Sequence, residues 1–194
     1  MTGRILDAAA GLYLERGRTE TTLSAIAQRA GVSRPSVYKH LGDADDVAHA
    51  LIDRELARFF EAVGAVLVAQ TNLRDRLVEG LTFTVEYARD HALLQRMLEL
   101  EPALVVTAFT LRGQGVLRQA VALLVPELER AADTGEVVGI APDVAAEWVA
   151  RVAVSLVLTP SVTRDLTDPV ELRRYLESVL VGGLVPREAS TAAG

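Results

Sequence analysis

The chain has 194 residues, half of them apolar and about a quarter charged, with a formal net charge of −6 and no cysteine. Such a length supports a real hydrophobic core, and such a composition excludes a disordered or low-complexity chain. The missing cysteines exclude disulfide frameworks, thiolate metal sites and cysteine nucleophiles, and no charge-free run of about 18 apolar residues is present to span a bilayer.

The opening segment, MTGRILDAAAGLYLERG, places Ile5, Leu6, Ala9, Leu12 and Tyr13 on one helical face, with Gly17 as a stop. Asp7, Glu15 and Arg16 interrupt it at helical spacing, and it lacks the apolar core and cleavage site of a signal peptide, so a soluble, cytoplasmic protein is expected. Thr21 or Thr22 caps a short second helix that carries Leu23, Ile26, Ala27 and Ala30 inward and closes at Gly31. Ser33 caps a third, with Pro35 in its first turn, which ends at Leu41-Gly42. Asp43 then caps a long amphipathic helix, with Asp45 and Asp46 opposing the positive end of its dipole and Leu51, Leu56, Phe59, Phe60, Val63 and Val66 as core candidates.

Further on, Asn72 caps a helix through Leu77, Leu81, Thr84, Val85 and Ala88, and a short helix spans Leu93–Leu100. Pro102 opens a long segment through Leu104, Phe109, Leu117, Val121 and Leu124, weakened at Gly113 and Gly115 and bent or interrupted at Pro126. DTGEVVGIAPD reads as a loop, Asp143 caps a helix stopped at Pro160, Asp168-Pro169 opens the last helix, and PREASTAAG is a frayed tail. Period-2 alternation is nowhere sustained. The expected fold is all-α, with about nine helices.

Charge is unevenly divided along this plan. Residues 1–42 hold six Lys/Arg against three Asp/Glu, and residues 43–194 hold fourteen against twenty-three. A basic segment on an acidic chain suggests that this segment meets a polyanion. The second and third helices, joined by a tight Gly-containing turn, describe a helix-turn-helix. Ile26, Ala27 and Ala30 can clasp Val37 and Leu41, which leaves Arg34, Ser36, Tyr38, Lys39 and His40 outward as donors of a size that a major groove admits. Thr22 and Ser24, at the start of the second helix, are placed to meet phosphates, and Ser33 joins the DNA-facing set at the start of the third.

The stretch TTLSAIAQRAGVSRPSVYKHL, with the amphipathic helix before it, closely resembles the N-terminal DNA-binding domain of the TetR family of bacterial transcriptional regulators over about residues 4–52. The resemblance implies a helix-turn-helix domain at residues 1–46 and a helical ligand-binding and dimerisation domain at 47–194. It also implies Tyr38, Lys39 and His40 against the DNA, with Arg34, Pro35 and Ser36 near bases or backbone. Two positions depart from the family pattern. Leu41 stands where Phe is usual, and Ala44 stands where a phosphate-binding Lys is usual, which puts operator affinity in question. Residues 53–194 match the family's body in length, helix count and the TGEV…PD loop, but hardly in sequence.

The resemblance implies a regulator, here read as a repressor, that binds palindromic double-stranded operator DNA as a homodimer and is released by a small effector. An alternative is a module of the same fold that binds ligand or protein, with weakened DNA affinity. Phe83, Tyr87, Met97, Phe109 and Arg112 are the candidates for the effector cavity, a set suited to a lipophilic carboxylate or acyl thioester. Trp148, Val152, Ser155 and Leu156 on one terminal helix, with Leu172, Tyr175, Leu176 and Val179 on the other, form the expected dimer surface. No cofactor, metal or membrane partner is expected. His40, His49 and His91 are scattered, and Ser155 and Ser161 lack His/Asp partners by motif, so an enzyme is not expected.

Overall fold

The computed structural model describes residues 1–135 and 140–183. Its helices follow in the order α1 (Thr2–Arg16), α2 (Leu23–Ala30), α3 (Arg34–Leu41), α4 (Ala44–Val68), α5 (Leu73–Asp90), α6 (Ala92–Leu100), α7 (Pro102–Phe109), α8 (Gln114–Asp133), α9 (Pro142–Leu158) and α10 (Pro169–Gly183). No strand occurs among the described residues, so the all-α fold holds. Part of the expected 133–143 loop and all of the 186–194 tail lie outside them.

Half of the helix starts follow from short polar side chains that accept from an otherwise orphaned backbone N–H. Thr22 Oγ1 accepts from Ala25 N and Ser33 Oγ from Ser36 N, both at 3.2 Å. Asn72 Oδ1 accepts from Asp75 N and Asp168 Oδ1 from Val170 N, both at 2.9 Å. At α6 the cap is an imidazole, His91 Nδ1 accepting from Leu94 N at 3.1 Å. α9 begins at Pro142, one residue before the expected cap Asp143, which stands in the first turn instead.

The helix count rises from about nine to ten because the segment after Pro102 divides. Thr110 leaves helical geometry at φ −114°, ψ −85°, so α7 stops at Phe109, and α8 starts only at Gln114. Pro126, by contrast, does not interrupt α8. The carbonyl that loses its donor there belongs to Ala122, which is exposed and so open to solvent.

The chain divides into two compact units. The first is Met1–Phe59 with Arg89–Leu111, and the second is Phe60–Ala88 with Arg112–Gly194. Ile5, Leu12, Ile26, Val37, Val47 and Leu51 build the core of the first, and Leu93 of α6 packs against it. Gly31, left-handed at φ 66°, turns the chain sharply enough for Val32 N to donate back to Ala27 O at 3.0 Å, which seats α3 across α2. In the second unit Leu77, Leu81 and Val85 of α5 are buried, as are Leu128 of α8, Val149 of α9 and Leu172, Leu176 and Leu180 of α10. Arg76 of α5 pairs with the buried Glu127 of α8 at 3.1 Å, and Arg173 of α10 donates to Glu79 of α5 at 2.9 Å.

Candidate nucleic-acid interface

α3 owes its orientation to one residue. Val37 is fully buried, in the same core as Ile26 and Ala27, so the helix has a single inward stripe. Arg34, Pro35, Tyr38, Lys39 and His40 consequently face out, Tyr38 with 65 % of its surface exposed. An aromatic ring held that far into solvent buries little within its own protomer and is available to a partner. Thr22 and Ser24 are exposed at the start of α2, and no acid stands in that first turn to compete for an anion. Thr22 and Ser33 spend their oxygens as caps but keep a hydroxyl proton to donate. Ser36 is half-buried and its hydroxyl donates to Met1 Sδ at 3.4 Å, so it is less available than its neighbours.

Electrostatics separate α3 from its surroundings. Arg18 pairs with Asp45 at 2.7 Å, Arg29 with Glu15 at 2.6 Å and Arg54 with Asp7 at 2.7 Å. Arg34 and Lys39 make no such ion pair among the described residues, so their charge remains available to a polyanion.

The acid run after α3 is consumed within the protein. Asp43 Oδ1 accepts from Asp45 N at 2.9 Å and Asp46 N at 3.0 Å, while Asp46 Oδ2 accepts from Asp43 N at 2.9 Å. This reciprocal cap satisfies the first turn of α4. The amides of Asp46 and then Asp45 hold the Asp43 carboxyl below its ordinary value. Being lowered in the folded state, it stabilises at pH above the usual carboxylate range, and that contribution is lost as pH falls through the lowered value. Asp43→Asn keeps the acceptor and removes the titration, so its acid-unfolding curve, followed by circular dichroism below about pH 4, should be shallower than that of the parent.

One contributor to this unit was not visible beforehand. Glu101, between α6 and α7, accepts with Oε1 from Arg18 N at 3.1 Å and Thr19 N at 3.2 Å, and its Oε2 lies 3.6 Å from Arg18 Nε. Leu100 closes on the same turn, where a Cβ on Gly17 (φ 82°) would stand 2.9 Å from its Cδ1. Only glycine fits there. Burial pushes the nearby Tyr13 hydroxyl up, against the opposing pull of Arg18. Glu101→Ala strands two amides at the turn that leads into α2, and a loss of about 1–3 kcal/mol in urea unfolding is expected, with Glu101→Gln intermediate because it retains an acceptor.

The five cavity candidates do not fall in one compact unit. Phe83 and Tyr87 of α5 meet with ring centroids 5.6 Å apart at 42°. Met97 and Phe109 belong to the first unit, and Arg112 is exposed just before α8. Of the expected pairing surface, Trp148, Ser155 and Val179 are exposed, and Val152, Leu156 and Tyr175 half-buried. Leu172 and Leu176 are instead enclosed in their own unit, because α10 turns its 172–176–180 stripe inward.

Residues 5–51 match the family model of bacterial regulatory proteins, tetR family. An uncharacterized HTH-type transcriptional regulator of Mycobacterium bovis is 28 % identical, over 94 % of this chain and 93 % of its own. The fold is shared with a TetR-family transcriptional regulator of Pectobacterium atrosepticum (18 % identity, 96 % and 95 % coverage, TM-score 0.76). It is also shared with SmeT, the repressor of the Stenotrophomonas maltophilia multidrug efflux pump SmeDEF, in complex with triclosan (23 % identity, 100 % and 97 % coverage, TM-score 0.67). With an outward α3, cations on it that make no ion pair among the described residues, and a match to the tetR-family model over residues 5–51, the chain carries a TetR-type DNA-binding domain and is a helix-turn-helix transcriptional regulator.

Proposed function

We propose that the protein is a cytoplasmic repressor that binds a palindromic operator as a homodimer and releases it when a small lipophilic effector binds. The observation that carries this reading is the outward, unpaired donor set of Arg34, Tyr38, Lys39 and His40 on a helix anchored by Val37. Read by two copies, such a set engages half-sites about one helical turn, roughly 34 Å, apart. Val144, Trp148 and Ser155 form an exposed stripe on α9 at spacings of four and seven, with Val179 exposed on α10, and this mixed apolar surface suits a second copy of the chain. SmeT, a repressor that forms a complex with triclosan, supports the repressor role and release by a small molecule.

The effector acts by preferring a protomer arrangement in which the two reading helices no longer fit one duplex. The shift it achieves is limited by its differential affinity for the two arrangements. A second reading, a module of this fold with weak DNA affinity, is favoured by the self-satisfied start of α4 and by Ala44.

A footprint on the DNA upstream of the protein's own gene, with the mass of the complex measured in parallel, tests the proposal. The expected result is a two-fold symmetric footprint held by an even number of copies and released by a lipophilic compound at concentrations that leave the protein folded. An asymmetric footprint held by one copy overturns it. Micromolar affinity without sequence preference supports the second reading instead.

A further inference from the structure

The ion-pair pattern of the first unit leaves one basic residue outside α3 in a telling place. Besides Arg34 and Lys39, the cations of this unit without an ion pair among the described residues are Arg4, Arg16 and Arg89. Arg4 is exposed, on the first turn of α1. Asp7, the acid one turn ahead of it, is already held by Arg54 of α4 at 2.7 Å. Gly3 beside it is open, since a Cβ there would meet nothing within 4 Å.

Two observations place Arg4 on the side of the helix-turn-helix. Met1, three residues before it and so on the adjoining part of the same face, touches α3 through Ser36 Oγ–Met1 Sδ at 3.4 Å. Gly11 and Glu15, seven and eleven residues after it on the same stripe, both face Arg29 of α2. Arg29 Cζ would lie 3.2 Å from a Cβ on Gly11, and its Nη1 lies 2.6 Å from Glu15 Oε1. Asp7, on another flank, turns instead to α4. Ile5, next in the chain, lies fully buried in the core that also holds Val37, so the position of Arg4 relative to α3 is fixed by packing.

We infer that Arg4 is a DNA-contacting residue that binds a backbone phosphate beside the groove read by α3. It lies outside the 5–51 stretch that matches the family model. The inference rests on the DNA-binding reading of α3. A guanidinium presents a planar pair of donors that suits two phosphate oxygens. A phosphate contact positions the protein and carries no sequence information. It supplies a sequence-blind attachment on a surface where Ala44 offers none.

The test measures binding of the full chain to its operator and to unrelated DNA across a salt series, for Arg4→Ala, Arg4→Lys, Arg16→Ala and Arg34→Ala. Arg16 is the control, an exposed and unpaired arginine on the same helix but twelve residues, about 18 Å, further along. Arg4→Ala should weaken binding about tenfold on both DNAs and flatten the dependence of log K on log salt by about one unit per bound copy. Arg4→Lys should recover most of the slope, and Arg16→Ala should match the parent. Equal behaviour of Arg4→Ala and the parent overturns the inference, as does an equal loss in Arg16→Ala or a loss confined to the operator. If Arg34→Ala also leaves operator binding intact, the reading of α3 fails with it. If Arg34→Ala alone weakens binding, only the role of Arg4 fails.

Discussion

Alanine at Arg34 or at Tyr38 is expected to remove most of the operator preference while leaving the melting temperature where it was. Both side chains are exposed and neither makes an ion pair or hydrogen bond within the described protein, so the fold does not depend on them. A side chain reading base edges contributes about 1–3 kcal/mol of discrimination. Two copies on one palindrome, as proposed, double the loss, to roughly 2–6 kcal/mol, or about 30- to 10⁴-fold in affinity. Competition binding against unrelated DNA separates this from a phosphate contact, because loss of a base reader narrows the gap between the two DNAs and loss of a phosphate contact lowers both together. Operator binding equal to the parent in both variants would remove α3 from the interface.

Glutamate at Trp148 is expected to produce stable monomers that still hold a half-site. The indole is 40 % exposed in the protomer, so a carboxylate there meets water at little cost. In a self-complementary pairing each new carboxylate faces a dry surface of the partner, and unpaired buried charge is strongly unfavourable. Loss of the second reading helix should lower affinity for the full operator by about 10²- to 10⁴-fold, the range that effective concentration supplies. Sedimentation velocity reads the assembly directly. Trp148 is the only tryptophan, so its emission in the parent should shift to the red as dilution separates the copies. Leu176→Ala serves as the contrast. It empties a buried position and should cost about 2–5 kcal/mol in folding, whatever the state of assembly.

Leu172 and Leu176, expected on the pairing surface but enclosed in their own unit, show where sequence stops informing. Trp148 and Leu172 both lie on amphipathic helices, and periodicity reports that a helix has an apolar face without saying which body covers it. On α10 the 172–176–180 stripe and the 175–179 stripe both carry apolar residues, and only the packed structure sends the first inward. Local signals fared better. Thr22, Ser33, Asn72 and Asp168 stand at helix starts as their side chains dictate, since an N-cap is decided within four residues. The outward set on α3 was readable for the same reason, being fixed by Val37 and an eight-residue helix. Glu101 was not, because 83 residues separate it from Arg18 and nothing local marks a glutamate as an acceptor for a distant turn. The break between α7 and α8 lies between, with glycines that weaken a helix but leave the place of the break to Thr110.

The hold of Glu101 and Leu100 on the turn after α1 bears on how such regulators can be recombined. Residues 89–111 complete the same compact body as 1–59, although α5 stands between them in the chain. A chimera that transplants only the first 59 residues onto a foreign sensor therefore leaves behind the carboxylate that ties down two amides and the leucine that fills the space above Gly17. Exchange of target specificity between relatives calls for a two-piece graft, or for a recipient that supplies an acid and an apolar side chain at the equivalent junction.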